Sequence, residues 1–315
     1  MRELTIVIPA RNEEFLINTI EDILKNKRAN TEIIVGIDGE WKHKLIIENP
    51  DVTIIYYPNS IGQRAITNQC VKLARGKYIM KVDAHCSFDE GFDQKMLDAF
   101  KETGDNVAMV PFMRNLHVYD WKCYKCGKRI YQDKGNICPV CGTKMKKKML
   151  WKPRRGTWNS AYCFDPTPKF QYHSSQKIKQ REMGDIVETM SLQGSCFMVT
   201  KEKYHELNLC DENFGSWGSQ GIEVACKFWL SGGKVLCNRK TWYAHCFRTK
   251  SVFGFPYKLS GRQVEHAKTL AKHLFFKQKW PKQIHPLSWL VEKFWPVKGW
   301  EDKDLQDLKD KEKLL

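Results

Sequence analysis

The chain has 315 residues, enough to bury a substantial core as one elaborated domain or two small ones. Its first apolar run is too short for a signal peptide, and no window approaches the roughly 20 apolar residues of a membrane span, so a soluble protein is expected. The 52 basic and 36 acidic residues give a net charge of +16, and the 12 cysteines, many set singly in apolar runs as Cys70, Cys196, Cys226 and Cys237 are, argue for reduced thiols in the cytoplasm over a secreted disulfide framework.

In chain order, residues 4–9, 32–37, 52–57, 77–82 and 107–111 read as buried strands. Between them 13–27, 61–74 and 92–100 have helical spacing, with Ile66, Cys70 and Leu73 forming an apolar stripe. This alternation predicts an α/β fold with a mainly parallel, Rossmann-like sheet and helices on both faces. Ligands of such sheets bind outside the carboxyl ends of the strands, where Pro9, Asp38 and Asp83 lie. The strand at 77–82 ends in Asp83-Ala84-His85. Residues i and i+2 of a strand point the same way, so Asp83 and His85 can face one cation that also touches a diphosphate. The alternative is that Asp83 caps the next turn and His85 is a surface histidine.

From 115 to 170 the pattern breaks into aromatic, basic, cysteine-rich sequence that reads as an insertion. Cys123-Tyr124-Lys125-Cys126-Gly127 and Cys138-Pro139-Val140-Cys141-Gly142 are two C-x-x-C-G knuckles. Each presents two thiolates from one tight turn, and together they complete a tetrahedral site for structural Zn²⁺, a small zinc ribbon. Four cysteine ligands leave no open position, so any chemistry lies elsewhere. Between Trp121 and Arg155 twelve Lys and Arg face one acid, Asp133, so this stretch carries +11 of the +16. Lys146, Lys147, Arg154 and Arg155, interleaved with Tyr131, Trp151 and Trp158, suit DNA or another polyanion; the alternatives are a solvated charged loop or a protein contact.

The αβ rhythm resumes with a strand at 190–199 and helices at 201–207 and 221–230. An amphipathic helix follows from 261 to about 279, and then Trp280, Trp289, Phe294, Trp295 and Trp300 spaced among prolines and lysines. The expected organisation is a nucleotide-binding half (1–114), the ribbon insertion (115–170), an acceptor half (171–255) and a helical aromatic C-terminal extension (256–315).

Several of these segments resemble one family. Ile6-Val7-Ile8-Pro9-Ala10-Arg11-Asn12-Glu13, Glu32-Ile33-Ile34-Val35-Gly36-Ile37-Asp38-Gly39, Ile61-Gly62-Gln63-Arg64-Ala65 and the Asp-x-His pair are similar to the GT-A nucleotide-sugar glycosyltransferases, broadly the family 2 enzymes. In its second half the chain resembles the polypeptide N-acetylgalactosaminyltransferases more closely, through Asp211-Glu212-Asn213-Phe214-Gly215-Ser216-Trp217-Gly218 and Ala244-His245-Cys246-Phe247-Arg248. The resemblance implies a GT-A fold and a UDP-sugar donor held by Pro9, Arg11, Glu13, Asp38, Arg64 and Asp83. It also implies a catalytic Mn²⁺ or Mg²⁺ on Asp83, His85 and His245, and an acceptor-side role for Trp217. Arg248 and Lys250 would stabilise the leaving diphosphate. The family's Trp-Gly-Gly-Glu-Asn appears here as Trp217-Gly218-Ser219-Gln220-Gly221. If the reaction inverts the anomeric centre, Glu223 is the candidate base; if it retains, as the closer resemblance implies, no such base is required. The basic insertion favours a polyanionic acceptor such as hydroxymethylpyrimidine-modified DNA. The rivals are a cell-surface glycan or protein acceptor, with the Trp-rich end in peripheral contact with a membrane, and a non-catalytic zinc-dependent nucleic-acid-binding protein.

Overall fold

In the computed structural model, which describes residues 2–44, 47–132, 135–248 and 254–314, the first half alternates as expected. Its elements are β1 (Leu4–Ala10), α1 (Leu16–Asn26), β2 (Thr31–Asp38), β3 (Val52–Tyr57), α2 (Gln63–Leu73), β4 (Tyr78–Val82), β5 (Cys86–Phe88) and α3 (Phe92–Thr103). β1 pairs in parallel with β2 on one side and β4 on the other, and β2 pairs in parallel with β3. Every residue of β1, β2 and β4 is buried, the signature of strands covered on both faces, which is why they read as continuous apolar runs. The covering helices supply one apolar face each: Leu16, Thr19, Ile20 and Ile23 of α1 recur at helical spacing. α2 lies so close to β2 that a Cβ on Gly36 would meet Ile66 Cγ1 at 2.5 Å.

α1 begins three residues later than expected because Glu13 belongs to the turn, where its carboxylate accepts from Phe15 N at 3.1 Å. α2 is likewise preceded by a loop held by Asp38, which accepts from Ile61 N at 2.6 Å and Ser60 Oγ at 2.9 Å.

The second half contains β6 (Val107–Lys122), β7 (Arg129–Tyr131), β8 (Lys146–Pro153), β9 (Tyr162–Phe164), β10 (Phe170–Tyr172), α4 (Ser174–Lys179), β11 (Ile186–Glu188), β12 (Cys196–Thr200), α5 (Lys201–Glu206), α6 (Gln220–Leu230) and β13 (Lys234–His245). The main sheet runs β11-β13-β6-β12-β4-β1-β2-β3, with β5 on β13 and β7 and β8 on β6. β12 is antiparallel to β4 and β6, while β13 is parallel to β6, so the α/β expectation is met with a mixed sheet, parallel over β3-β2-β1-β4 and between β6 and β13 and antiparallel at the other pairings.

β6 runs eleven residues past its expected end at 111, because its distal part pairs with β7 and β8 as the base of the cysteine module. The strand expected at 190–199 is confined to Cys196–Thr200. The preceding turn at 193–195 instead faces the sheet edge and gives the Ser195 carbonyl to Asp83 N at 2.8 Å.

C-terminally come α7 (Gly261–Ala271), α8 (Leu287–Lys293) and α9 (Asp302–Glu312). The helix expected to about 279 ends in a π-helical turn over Lys272–Phe276. The Trp-rich stretch packs inward: Trp280, Phe294 and Trp300 are buried, and Trp289 and Trp295 lean on the same core. Trp300 Nε1 donates to Phe164 O at 2.8 Å. An interfacial belt needs exposed rings, so the membrane-anchor reading of these tryptophans is corrected. No helix among the described residues is long and apolar enough to cross a membrane.

Candidate active site

β1 pairs with β2 on one side and β4 on the other, so the chain changes direction across the carboxyl ends of β1 and β4. That is the crevice in which open α/β sheets bind ligands. Two cavities meet there, with volumes of about 100 and 470 Å³. The first is lined by Pro9, Arg11, Asp38, Gln63 and Tyr257 among others. The second opens toward Gln193, Gly194, Gln220, Phe170 and Arg248. Glu13, Asp83, His85, Trp217 and Tyr257 line both.

At the junction His85 Nε2 lies 3.1 Å from His245 Nε2, and Asp83 Oδ2 lies 3.3 Å from His245 Nε2 and 4.0 Å from His85 Nε2. The three ligand atoms lie within 4.8 Å of one another. Neighbouring ligands on a cation with bonds of about 2.1 Å sit about 3 Å apart, so these spacings fit one divalent ion. β4 delivers Asp83, the turn after it delivers His85, and the end of β13, paired through His245 to Cys86, delivers the third ligand. Burial opposes ionisation of Asp83, but Lys81 and His245 outweigh it and hold the carboxyl well below its usual range. Burial draws His245 down to about 4, so its imidazole is neutral at physiological pH, the form that ligates metal. Glu13 Oε2 lies 3.0 Å from His85 Nδ1, which fixes that ring with Nε2 toward the junction, whereas His245 Nδ1 is buried without a partner.

The structure redistributes other expected roles. Glu13 lines the nucleotide-side cavity, yet its carboxylate is taken up by His85 and by Arg248, whose Nε donates at 2.9 Å. Arg248 lines the second cavity in that pairing; Lys250 lies outside the described residues.

Arg64 and Glu223 line neither cavity. Both are almost fully buried and face each other at 3.1 Å. Glu223 also accepts from Lys227 Nζ at 3.1 Å and Asp211 N at 2.9 Å. Arg64 in turn donates to Gly215 O and Gly218 O, pinning the loop that carries Trp217. The candidacy of Glu223 as base is therefore corrected. Its oxygens are spent on a buried ion-pair network, and no route leads from them to an acceptor hydroxyl. Arg64 is likewise a loop anchor and has no path to a nucleotide.

Sequence reasoning missed Lys81, although its position two residues before Asp83 was the available signal. It also missed Gln193, whose buried Oε1 has no partner. Tyr257 carried no signal at all.

The cysteine module holds a second cluster. The Sγ atoms of Cys123, Cys126, Cys138 and Cys141 lie within 4.8 Å of one another, with Cys123–Cys141 at 3.5 Å and Cys126–Cys138 at 3.4 Å. These exceed a covalent S–S bond of about 2.05 Å and approach the spacing of about 3.8 Å for thiolates on one tetrahedral Zn²⁺. The knuckles repeat one turn: Gly127 N donates to Cys123 O, and Gly142 N to Cys138 O. Both glycines adopt positive φ, 77° and 69°. Thr143, through its hydroxyl and amide, draws the Cys141 thiol down to about 6. Lys146, Lys147, Arg154 and Arg155 lie on this module, outside both cavities.

Residues 5–192 match the family described as Glycosyl transferase family 2. The chain is 22% identical over 190 residues to polypeptide N-acetylgalactosaminyltransferase 3 of Drosophila melanogaster, covering 58% of this chain and 24% of that one. It is 21% identical over 270 residues to polypeptide N-acetylgalactosaminyltransferase 11 of Xenopus tropicalis, covering 80% and 39%. The chain thus spans less than half the length of these relatives. Among solved structures it superposes on GalNAc-T7 crystallised with UDP, GalNAc and Mn²⁺, with a TM-score of 0.66, 14% identity and coverage of 98% of this chain and 55% of that one. That likeness gives the shared GT-A fold.

Proposed function

The chain belongs to glycosyl transferase family 2, and from that membership we propose that it transfers a sugar from a UDP-sugar to an acceptor hydroxyl with the help of Mn²⁺ or Mg²⁺ on Asp83, His85 and His245. The observation that carries this reading is the position of the three ligands at the junction of two cavities, one for a donor nucleotide and one for an acceptor. When bound, the ion supplies Lewis-acid neutralisation of the charge developing on the departing diphosphate. Arg248, oriented by Glu13, adds a fixed cation beside it. The carboxylates lining the second cavity among the described residues are Glu13 and Asp83, each already paired with a cation. Neither is available to deprotonate a hydroxyl, which favours the retaining outcome. A non-catalytic role would require a missing ligand, and all three are present. Incubating the metal-loaded protein with a panel of nucleotide sugars, acceptor peptides, and plain or hydroxymethylated DNA, read by mass spectrometry, tests the reading; no transfer to any acceptor would remove it.

For the cysteine cluster we propose structural Zn²⁺, which compensates for the small core under this module, where Cys123, Cys138 and Met145 are the buried apolar residues. Metal analysis is expected to give one zinc per chain that persists in His245→Ala and disappears in Cys123→Ser/Cys141→Ser; a zinc-free native protein would refute it. The buried thiols elsewhere suit a reducing, cytoplasmic setting.

The acceptor is the finer question. Lys147 Nζ lies 3.6 Å from Glu14, the chain neighbour of Glu13, and Trp151 packs on Phe15 and donates to Asp22 at 3.1 Å. The basic strand β8 is thereby braced against the turn at the mouth of the site, which supports an anionic acceptor such as modified DNA. The names of the relatives support the second reading, a polypeptide hydroxyl. Lys147 is engaged by Glu14, Tyr119 and Trp121, so charge reversal belongs at Lys144, Lys146 and Lys148. DNA affinity is expected to fall steeply with salt, with a log–log slope reduced by about 2–3 in the triple variant. Absent or salt-independent DNA binding together with transfer to peptide would decide for the polypeptide.

A further inference from the structure

The constellation that would hold the divalent ion is already charge-balanced by the chain. Arg248 matches Glu13, and Lys81 matches Asp83. Lys81 lies on β4 two residues before Asp83, on the same face. Its side chain is completely buried, a costly place for an ammonium without partners. Nζ contacts Asp83 Oδ1 and donates to Gly194 O at 2.7 Å. This leaves Asp83 Oδ2 as the oxygen turned toward His245 and His85.

The surroundings tip this balance toward positive charge. Arg11, Lys81, Lys169, Arg248 and Lys258 line the two cavities, against Glu13, Asp38 and Asp83; Lys268, also on the wall, is matched by Glu265 at 2.7 Å. Leaving the histidines out, the described lining carries more positive than negative charge. A bare dication therefore meets a surplus of its own sign, and a nucleoside diphosphate, bound first or together with it, removes that surplus.

We propose that Lys81 is a positioning residue that restricts Asp83 to one ligand oxygen and keeps the site's affinity for divalent cations low until a nucleoside diphosphate arrives. The inference rests on the metal-dependent reading above. It makes ion capture conditional on the donor, so that the ion is loaded where a diphosphate is present to use it. A merely structural Lys81, serving the Gly194 carbonyl alone, would leave ion affinity unaffected by its charge.

The test is Mn²⁺ titration of the whole chain by electron paramagnetic resonance, with and without UDP, for the wild type, Lys81→Met and Lys81→Arg. In the wild type UDP is expected to tighten Mn²⁺ binding at least about tenfold. Lys81→Met is expected to tighten binding of Mn²⁺ alone at least about tenfold and to shrink the effect of UDP correspondingly. Lys81→Arg, which keeps the charge, is expected to behave as the wild type does. Unchanged or weaker Mn²⁺ affinity in folded Lys81→Met overturns the inference. So does a wild type that binds Mn²⁺ equally well with and without UDP, a result that needs no variant to fold. No Mn²⁺ binding to the wild type even with UDP would remove the metal reading and this inference together, whereas the preceding outcomes remove the inference alone.

Discussion

His245→Ala is expected to lower sugar transfer at least about a thousandfold, equivalent to about 4 kcal/mol of transition-state stabilisation, while the protein remains folded. The substitution removes one of three ligands and strands no charge, because the His245 imidazole is neutral in its buried position. Asp83→Ala is a poorer experiment. It would leave the Lys81 ammonium in the interior without its carboxylate, so lost activity would be confounded with lost stability. Steady-state transfer, an unfolding curve and Mn²⁺ binding measured on His245→Ala together decide the matter. Undiminished turnover in the variant would take His245 out of the mechanism.

The second large effect concerns folding. Glu223→Ala removes the shared carboxylate of a network that also contains Arg64, Lys227 and Asp211 N; it leaves buried Arg64 without a carboxylate and Lys227 with only the more distant Asp211 carboxylate at 3.8 Å. Breaking such a pair is expected to cost about 3–5 kcal/mol, measured by urea unfolding. Because Arg64 also holds Gly215 O and Gly218 O, the loop bearing Trp217 should loosen and KM for the acceptor should rise. The pH dependence of kcat in the folded fraction should keep its shape. A general base would behave in the opposite way, with stability intact and the acidic limb of the profile lost, and that outcome would restore Glu223 to the chemistry.

The legible parts of the molecule share a local cause. β1, β2 and β4 are buried on both faces and so announce themselves as apolar runs, whatever they pack against. Asp83 and His85 stand at a strand end within three residues, and each knuckle pairs two cysteines with a glycine whose positive φ is a local requirement. β13 was not legible, because Asn238-Arg239-Lys240 interrupts its apolar pattern. The structure absorbs that interruption as an irregularity between Asn238 and Trp242, with Asn238 Nδ2 donating to Lys95 O. The same strand places His245 beside His85, 160 residues away in the chain.

Charge deceived in both directions. Glu223 reads as a candidate base and Lys81 as one residue of a buried strand, yet each is a buried partner in an ion pair. The aromatic tail looks like an exposed belt, yet Trp280 and Trp300 are part of the core.

By itself the sequence determined the βαβ half, the cysteine module and the Asp83–His85 pair, because these depend on periodicity and on donor atoms close together in the chain, whereas His245 entered only through the family resemblance. Only the tertiary structure decided which charges cancel: Glu13 with Arg248, Asp83 with Lys81, and Glu223 with Arg64 and Lys227. Burial and partners set whether a carboxylate is a ligand, a base or a strut, and both come from residues that approach only when the sheet is assembled.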